Sequence, residues 1–457
     1  MKLRTLVRCW FMVALVLVLA VDVALGEGQA PGGGPPAYSL NDCVQLALER
    51  SPRIHAAEDA IRKAEAEIGM AKAGFYPRLT AFGSGKSITG MSSSGNANED
   101  YDDQTILTHG LQLTQTLFAG LTILNGYQRA VLAHEYVLAE RNDTTARLAL
   151  QVQTVFLERL QAVEQAKVYE AHLQSLEING RALEAMFAQH LVPYSDVLDT
   201  QAEIASARQK LSEAENIVAV KTIELKGLMQ VPFEQHIAFA DTTWDTASIP
   251  ELDLAEIRAY ALSNKPAIVL SRLAIQLVQK DKEVAMGGHA PRVNLTLSYN
   301  NVDVDYDDPG ISMGREYNRD YRKDYHMGML SMEWDLFQGG RTYHQVQRIK
   351  HEISRLQNNL RDQESMTYTE IEKSYTSLQE ARGRARHAMA FVKSSRENLA
   401  MAQARLDKSL GTLPELVLAR SKVQNAESTL VRSYIDCQQS LADLYYAMGR
   451  RTFSLVQ

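Results

Sequence analysis

Histidines and clustered carboxylates are the side chains in this sequence that invite a chemical role. Eleven histidines suggest metal binding, yet none has a glutamate three residues before it, so the Glu-x-x-His pairs of helical di-iron bundles are absent. "HEISR" at 351–355 lacks the second histidine of a zinc-protease helix. "DVDYDD" at 303–308 concentrates aspartates, but such a run usually means a solvated loop rather than a metal site. An enzyme is therefore the weakest reading, and neither cofactor nor metal is expected. The other notable acids are Asp196 and Asp199 in "LVPYSDVLDTQAE" (191–203) and Glu415 in "GTLPELVLARS" (411–421). Each tract opens a helix after a proline, where an acid either stabilises the helix N-terminus or presents charge to a passing solute.

The elements that position these acids are written twice. Sliding the sequence on itself by 214 residues sets "LALERSP" (46–52) on "YALSNKP" (260–266), and Pro77 on Pro291. Beyond the next loop the shift becomes 219, pairing Phe118 with Phe337, Asp196 with Glu415 and Met229 with Met448. The chain thus divides into repeat 1 (38–230), a connecting segment (231–253), repeat 2 (254–448) and a tail (449–457). Each repeat reads as helix, two strands, long helix, returning helix. The spacing predicts first helices over 40–75 and 254–288, strands over about 77–118 and 291–337, and returning helices over 194–230 and 415–448. The long helices run from Leu121 to Gln189 and from Arg341 to Ser409 without a proline, long enough to reach roughly 100 Å. Phe156, Leu160, Val163, Ala166, Leu173, Leu176, Leu183 and Phe187 recur at threes and fours, as in a coiled-coil seam.

A leader precedes the repeats. Lys2, Arg4 and Arg8 stand before an apolar run from Cys9 to Val21, with Ala24 and Gly26 offering small residues for cleavage. This reads as a signal peptide over 1–26, followed by a flexible Gly/Pro linker over 27–37. No cysteine stands at the cleavage point, so no lipid is expected there. Losing three bases and one acid takes the formal charge from -7 to -9, which argues against a nucleic-acid partner. Cys43 and Cys437 remain, too few for a disulfide scaffold, and whether they pair is open.

After the leader no apolar stretch is long enough for a spanning helix, so membrane insertion would require a barrel. The strands alternate accordingly. Leu111, Leu113 and Leu117 share one face, Leu295 and Leu297 another, and Leu330, Met332, Trp334 and Leu336 a third, with polar residues between them. A soluble antiparallel sheet alternates too. Aromatic residues where strand meets helix (Phe75, Tyr76, Phe118, Trp334, Phe337) favour an interfacial belt, and these leucines and their neighbours are read as lipid-facing. Gly120, Gly339 and Gly340 supply the turn from strand to helix. Four strands cannot close a barrel and open edges are not tolerated in hydrocarbon, so several chains must share one.

The duplicated unit, "AKAGFYPRL" (71–79), "LFAG" with "LFQGG", and the tip segment 191–203 together resemble the TolC family of outer-membrane efflux and secretion ducts. The resemblance covers essentially the whole chain after the leader. It implies an α+β membrane protein: a homotrimer whose twelve-stranded β-barrel in outer-membrane lipid continues into a helical coiled-coil barrel crossing the periplasm of a Gram-negative bacterium. The implied role is the exit duct of a tripartite efflux pump or type I secretion system, fed by a periplasmic adaptor and an inner-membrane transporter. Adaptor contacts would fall at the tips, on Leu191, Val192, Pro193, Asp196 and Asp199 and on Gly411, Thr412 and Leu413. Pore-narrowing acids belong to the second tip in that family, which points to Glu415 with Leu418 as an apolar collar. Leu418 stands where Asp199 stands in repeat 1, so one expected carboxylate is missing. An exported coiled-coil structural protein, either a periplasmic adaptor or a trimeric adhesin, is the alternative, although strand pairs inside both repeats disfavour it.

Overall fold

The computed structural model describes residues 37–89, 104–240, 253–306, 310–312, 315–318, 320–408 and 410–450. The expected leader, nearly all of the linker, the middle of the connecting segment and the tail from 451 onward lie outside them.

Proline sets the first break in each half. β1 (Ala37–Tyr38) leads into α1 (Leu40–Arg50), which opens with a reciprocal cap between Ser39 and Asp42. α1 stops at Ser51, held extended (φ -67°, ψ 122°) because Pro52 follows, and Pro52 starts α2 (Pro52–Ala73). The second half repeats the device: α5 (Leu254–Asn264) stops at Lys265 (φ -63°, ψ 123°) and α6 (Pro266–Met286) starts at Pro266. The single first helices expected over 40–75 and 254–288 are therefore two helices each. A residue before proline is pushed out of the helical region, and proline is at home in a first turn.

The long helices are α3 (Thr122–Ala188) and α7 (Arg341–Asp407), 67 residues each, and return as α4 (Tyr194–Leu228) and α8 (Leu413–Met448). α3 lies along α2, α4, α6 and α8, while α7 lies along α6 and α8. Ion pairs tie these neighbours: Arg129 to Asp281 (2.5 Å), Arg208 to Glu177 (2.6 Å) and Arg396 to Glu427 (2.7 Å).

Burial is concentrated halfway along α3 rather than spread as a uniform seam. Leu148, Val152, Val155, Phe156, Leu157 and Leu160 pack with Leu40, Cys43, Ala47, Ile54, Leu225 and Met229 in one core. Ile257, Ile371, Leu378, Cys437, Leu441 and Leu444 form a second. Of the predicted seam, Phe156, Leu160, Leu176 and Leu183 are buried and Phe187 is exposed. The predicted narrow stripe is thus a wide band at mid-helix, where α1, α8 and the parallel pair β1–β4 (Ala238–Phe239) add neighbours. Cys43 and Cys437 are free and fully buried, one in each core. Burial pushes the Cys43 thiol up to about 12.

β2 (Arg78–Ile88), β3 (Gln104–Ala119), β5 (Arg292–Tyr306) and β8 (Tyr321–Glu333) form one antiparallel sheet in the order β2-β3-β5-β8. β6 (Gly310–Ser312) and β7 (Arg315–Tyr317) make a small hairpin inside the loop between β5 and β8. The stretch between β5 and β8 is therefore partly strand.

Candidate transport duct

The sheet's sidedness is the reverse of a soluble sheet's. Along β5, Thr296, Ser298 and Asn300 are buried, while Leu297 and Tyr299 between them are exposed. Across the strands this becomes rows. Leu79, Leu113, Leu297 and Gly328 align, as do Ala81, Leu111, Tyr299 and His326; toward the helices follow Gln115, Leu295 and Leu330. The other face aligns Thr80, Gln112, Ser298 and Met327. The outward apolar rows end at Gly83, His109, Asn301 and Asp324, where Asn301 donates to Asp324, and Asp303 accepts from Arg322 one row on. Asp303 of the "DVDYDD" run is thus committed to a cation, while Asp307 and Asp308 lie outside the described residues. A sheet with polar residues inside and a bounded apolar band outside has the sidedness of a barrel wall in a bilayer.

The structure places Leu111, Leu113, Leu295, Leu297, Leu330 and Met332 on the outward face, as their alternation predicts. Three residues depart. A register shift between Thr116 and Phe118 makes Phe118, not Leu117, the partner of Val293, because a bulge inserts one residue and exchanges the faces beyond it. β8 stops at Glu333, so Trp334 and Leu336 lie beyond the strand end. Sequence reading also missed Tyr325, Met327 and Met329, which share the inner rows with Asn300, Ser298 and Thr296; the polar inner pattern of the other strands gave no sign of them.

The two junctions from strand to helix are built alike. Gly120 and Leu121 take φ of 60° and 63°, and Gly339 and Gly340 take 60° and 78°, so each long helix starts from two successive left-handed residues. Gln115 Nε2 donates to the Phe75 carbonyl (3.4 Å) and Trp334 Nε1 to the His289 carbonyl (3.0 Å). These are the same pair under the repeat shifts. The returning helices close alike too: Val231 N donates to Lys226 O and Arg450 N to Tyr445 O, both at 3.0 Å. Gln230 and Gly449 supply the left-handed residue that such a cap needs.

At the first tip, α3 gives way through left-handed His190, and Leu191 N bonds back to Met186 O (3.0 Å). Phe187 and Tyr194 stack with centroids 5.2 Å apart, and Pro193 opens α4. Leu191, Pro193 and Asp199 are exposed; Val192 and Asp196 are half-buried. Glu203, one turn beyond Asp199, has its carboxyl raised by desolvation and then by the Asp199 charge. At the second tip, Leu410 N and Gly411 N both reach Arg405 O (2.8 and 3.1 Å), and Thr412 caps α8, which starts at Leu413. Arg405 Nη2 donates to Leu410 O (3.2 Å), and Arg405 Nη1 lies 3.7 Å from Glu415 Oε2. Leu418, one turn on from Glu415, is exposed. The Arg405 partnership crosses the turn between two helices, so local spacing could not announce it.

A family model for outer membrane efflux proteins matches residues 43–229 and again 258–450. The chain belongs to the outer membrane efflux protein family. It is 22% identical over 456 residues to the outer membrane efflux protein BepC of Brucella suis biovar 1 (strain 1330), covering 98% of this chain and 90% of BepC. To Protein CyaE of Bordetella pertussis it is 24% identical over 405 residues, 85% of this chain and 80% of CyaE. Its fold matches that of VceC from Vibrio cholerae with a TM-score of 0.74 at 16% identity, covering 90% of this chain and 96% of VceC. For CusC the TM-score is 0.75 at 16% identity, with 94% and 99% covered. This family member is an exit duct in the outer membrane of a Gram-negative bacterium.

Proposed function

We propose that this duct is a homotrimer of internally duplicated chains. Three copies of the four-stranded sheet close one twelve-stranded barrel, and the α3/α4 and α7/α8 pairs continue it as a helical tube. The observation that carries this reading is the inverted sheet with β2 and β8 as open edges, which hydrocarbon does not tolerate unless other chains cover them. The twin junctions and twin caps support the duplication. On this reading Leu111, Leu113, Leu295, Leu297, Leu330 and Met332 meet lipid. Outer membranes solubilised in SDS should show a species three chains in size that collapses to one chain on boiling. A single-chain band before boiling overturns the trimer.

The duct serves a tripartite efflux pump or a type I secretion system, receiving cargo from a periplasmic adaptor and, through it, an inner-membrane transporter. Among its relatives one is named for alkaline protease secretion and another for pyoverdine export, each over part of the chain, so both kinds of cargo occur among them. The exposed tip residues Leu191, Pro193, Asp199 and Thr412 are the adaptor's landing points, and Glu415 with Leu418 narrows the entrance. A photo-crosslinker at position 191 or 412 in living cells should capture an exported adaptor; capture of none from an assembled duct overturns the tip assignment.

A further inference from the structure

The sheet sorts its charges by sign. On the inner face, with Thr80, Gln112, Ser298 and Met327, the strand pairing also places Arg78, Lys86, Arg292 and Lys323, against Glu333 as the one carboxylate among the described residues. The outward face has the opposite bias, with Asp303, Asp305 and Asp324 against Arg322, and Arg322 is bound by Asp303. The four inner cations are all exposed. Among the described residues none of their side chains makes an ion pair or a hydrogen bond, not even Arg292, which stands opposite Glu333. A chain with a formal charge of -7 has gathered unpaired positive charge on one face of its sheet.

The repeats also diverge on this face. Beyond Lys323, β8 continues with Tyr325, Met327 and Met329, which are 40%, 43% and 45% exposed. Their counterparts in repeat 1 at the 219 shift are Ile106, Thr108 and Gly110, and Gln104 stands in place of Lys323. Phe82 and Tyr325 occupy the two ends of one row. The interior of a water-filled barrel is polar, and these exposed side chains serve no core. Same-face neighbours on a strand are roughly 7 Å apart. A cation, a ring and two thioethers therefore form a rail about 20 Å long.

We infer that the barrel passes organic anions with an aromatic or aliphatic body. Lys86 and Lys323, in neighbouring rows, draw the charged group, and Tyr325, Met327 and Met329 hold the body through ring and thioether contacts. The inference rests on the trimer reading, in which this face lines the pore, and adds to it the chemical class of the cargo. Low-dielectric walls focus the field of such charges into the lumen. Glu415 does not cancel that field. It lies beyond the far end of α7, whose 67 residues span roughly 100 Å, and charge is screened over about 8 Å at physiological salt. The tip and the barrel are separate filters.

Planar-bilayer recordings of the whole duct, with probes added on the barrel side, test this. Naphthalenesulfonate should block the current at a concentration about tenfold lower than naphthylmethylammonium, a similar ring of opposite charge, and lower also than methanesulfonate, which lacks the ring. Lys86→Gln with Lys323→Gln should remove the preference for the sulfonate over the ammonium. Met327→Ser with Met329→Ser should erase the advantage over methanesulfonate and keep the preference for negative charge. The wild-type comparison needs no variant. Equal block by the two naphthalene probes in a conducting, heat-dissociable oligomer overturns the inference and leaves the trimer standing, as does a preference that neither pair of substitutions changes. A wild-type chain that forms no oligomer overturns both readings.

Discussion

Glu415 faces a cation from its own chain, and that limits the charge it would present at the proposed pore entrance. The Arg405 pair is half exposed on both sides, so it contributes at most about 1 kcal/mol to stability and Glu415 keeps part of its field. Glu415→Gln should weaken cation selectivity in planar-bilayer recordings of the assembled duct, and Arg405→Gln should strengthen it. Unchanged selectivity in both variants would leave Glu415 as a first-turn acid that stabilises α8 by about 0.3–1 kcal/mol. Asp443 offers a second residue-level test. Its carboxyl is raised by desolvation first, opposed by the Gln439 hydrogen bond (2.9 Å), with the Glu370 charge adding to the rise. An acid with a raised folded-state pKa binds more protons folded than unfolded, so stability falls as pH rises above the ordinary aspartate value of 3.8. Asp443→Asn should therefore raise the thermal midpoint at pH 7 and change it little at pH 3. A lower midpoint at pH 7 would show that the Asp443 charge is needed by a cation.

At the scale of elements, the turn from β3 into α3 is tightly constrained. Gly120 is left-handed and lies against Gly287. A side chain there would meet both backbone strain, of order 1–3 kcal/mol, and a backbone carbonyl that cannot move without shifting α6. Gly120→Ala should lower the temperature at which the oligomer dissociates. Gly126→Ala is the matched opposite: Gly126 is the fifth residue of α3, with nothing within 4 Å of an added methyl, and the exchange should stabilise by about 0.5–1 kcal/mol. Thermal dissociation of the two variants checks the contrast, and equal shifts would remove the special status of Gly120.

For the whole molecule, the proposed barrel requires the outward band to match the membrane. Leu330 sits in the lower of its apolar rows and is largely exposed in the single chain. Leu330→Arg should cost about 2–4 kcal/mol if its row lies near the midplane, less nearer an interface, and deplete the heat-dissociable oligomer in outer membranes. Trp334→Arg also loses the bond to the His289 carbonyl and should act in the same direction. Normal assembly of both would mean that this face does not meet lipid.

The sequence by itself determined the broad order of elements, most of the strand faces and the two turns between long and returning helices, because each is written in local signals: period-two alternation, proline and glycine punctuation, and spacing that recurs after 214 or 219 residues. It determined much of the candidate site too, down to Gly120, Gly339 and Gly340 as the turning residues. The tertiary structure decided what depends on partners distant in the chain. Leu117 lost its place to Phe118 because a bulge against β5 is a property of the pair, not of either strand. Burial at Val152–Leu160 widened from a seam to a band because α1 and α8 arrive from the far ends of the sequence. β8 ended at Glu333 and β3 did not, because a strand needs a neighbour to donate and accept its backbone hydrogen bonds, and among the described residues β3 has one at that level and β8 does not.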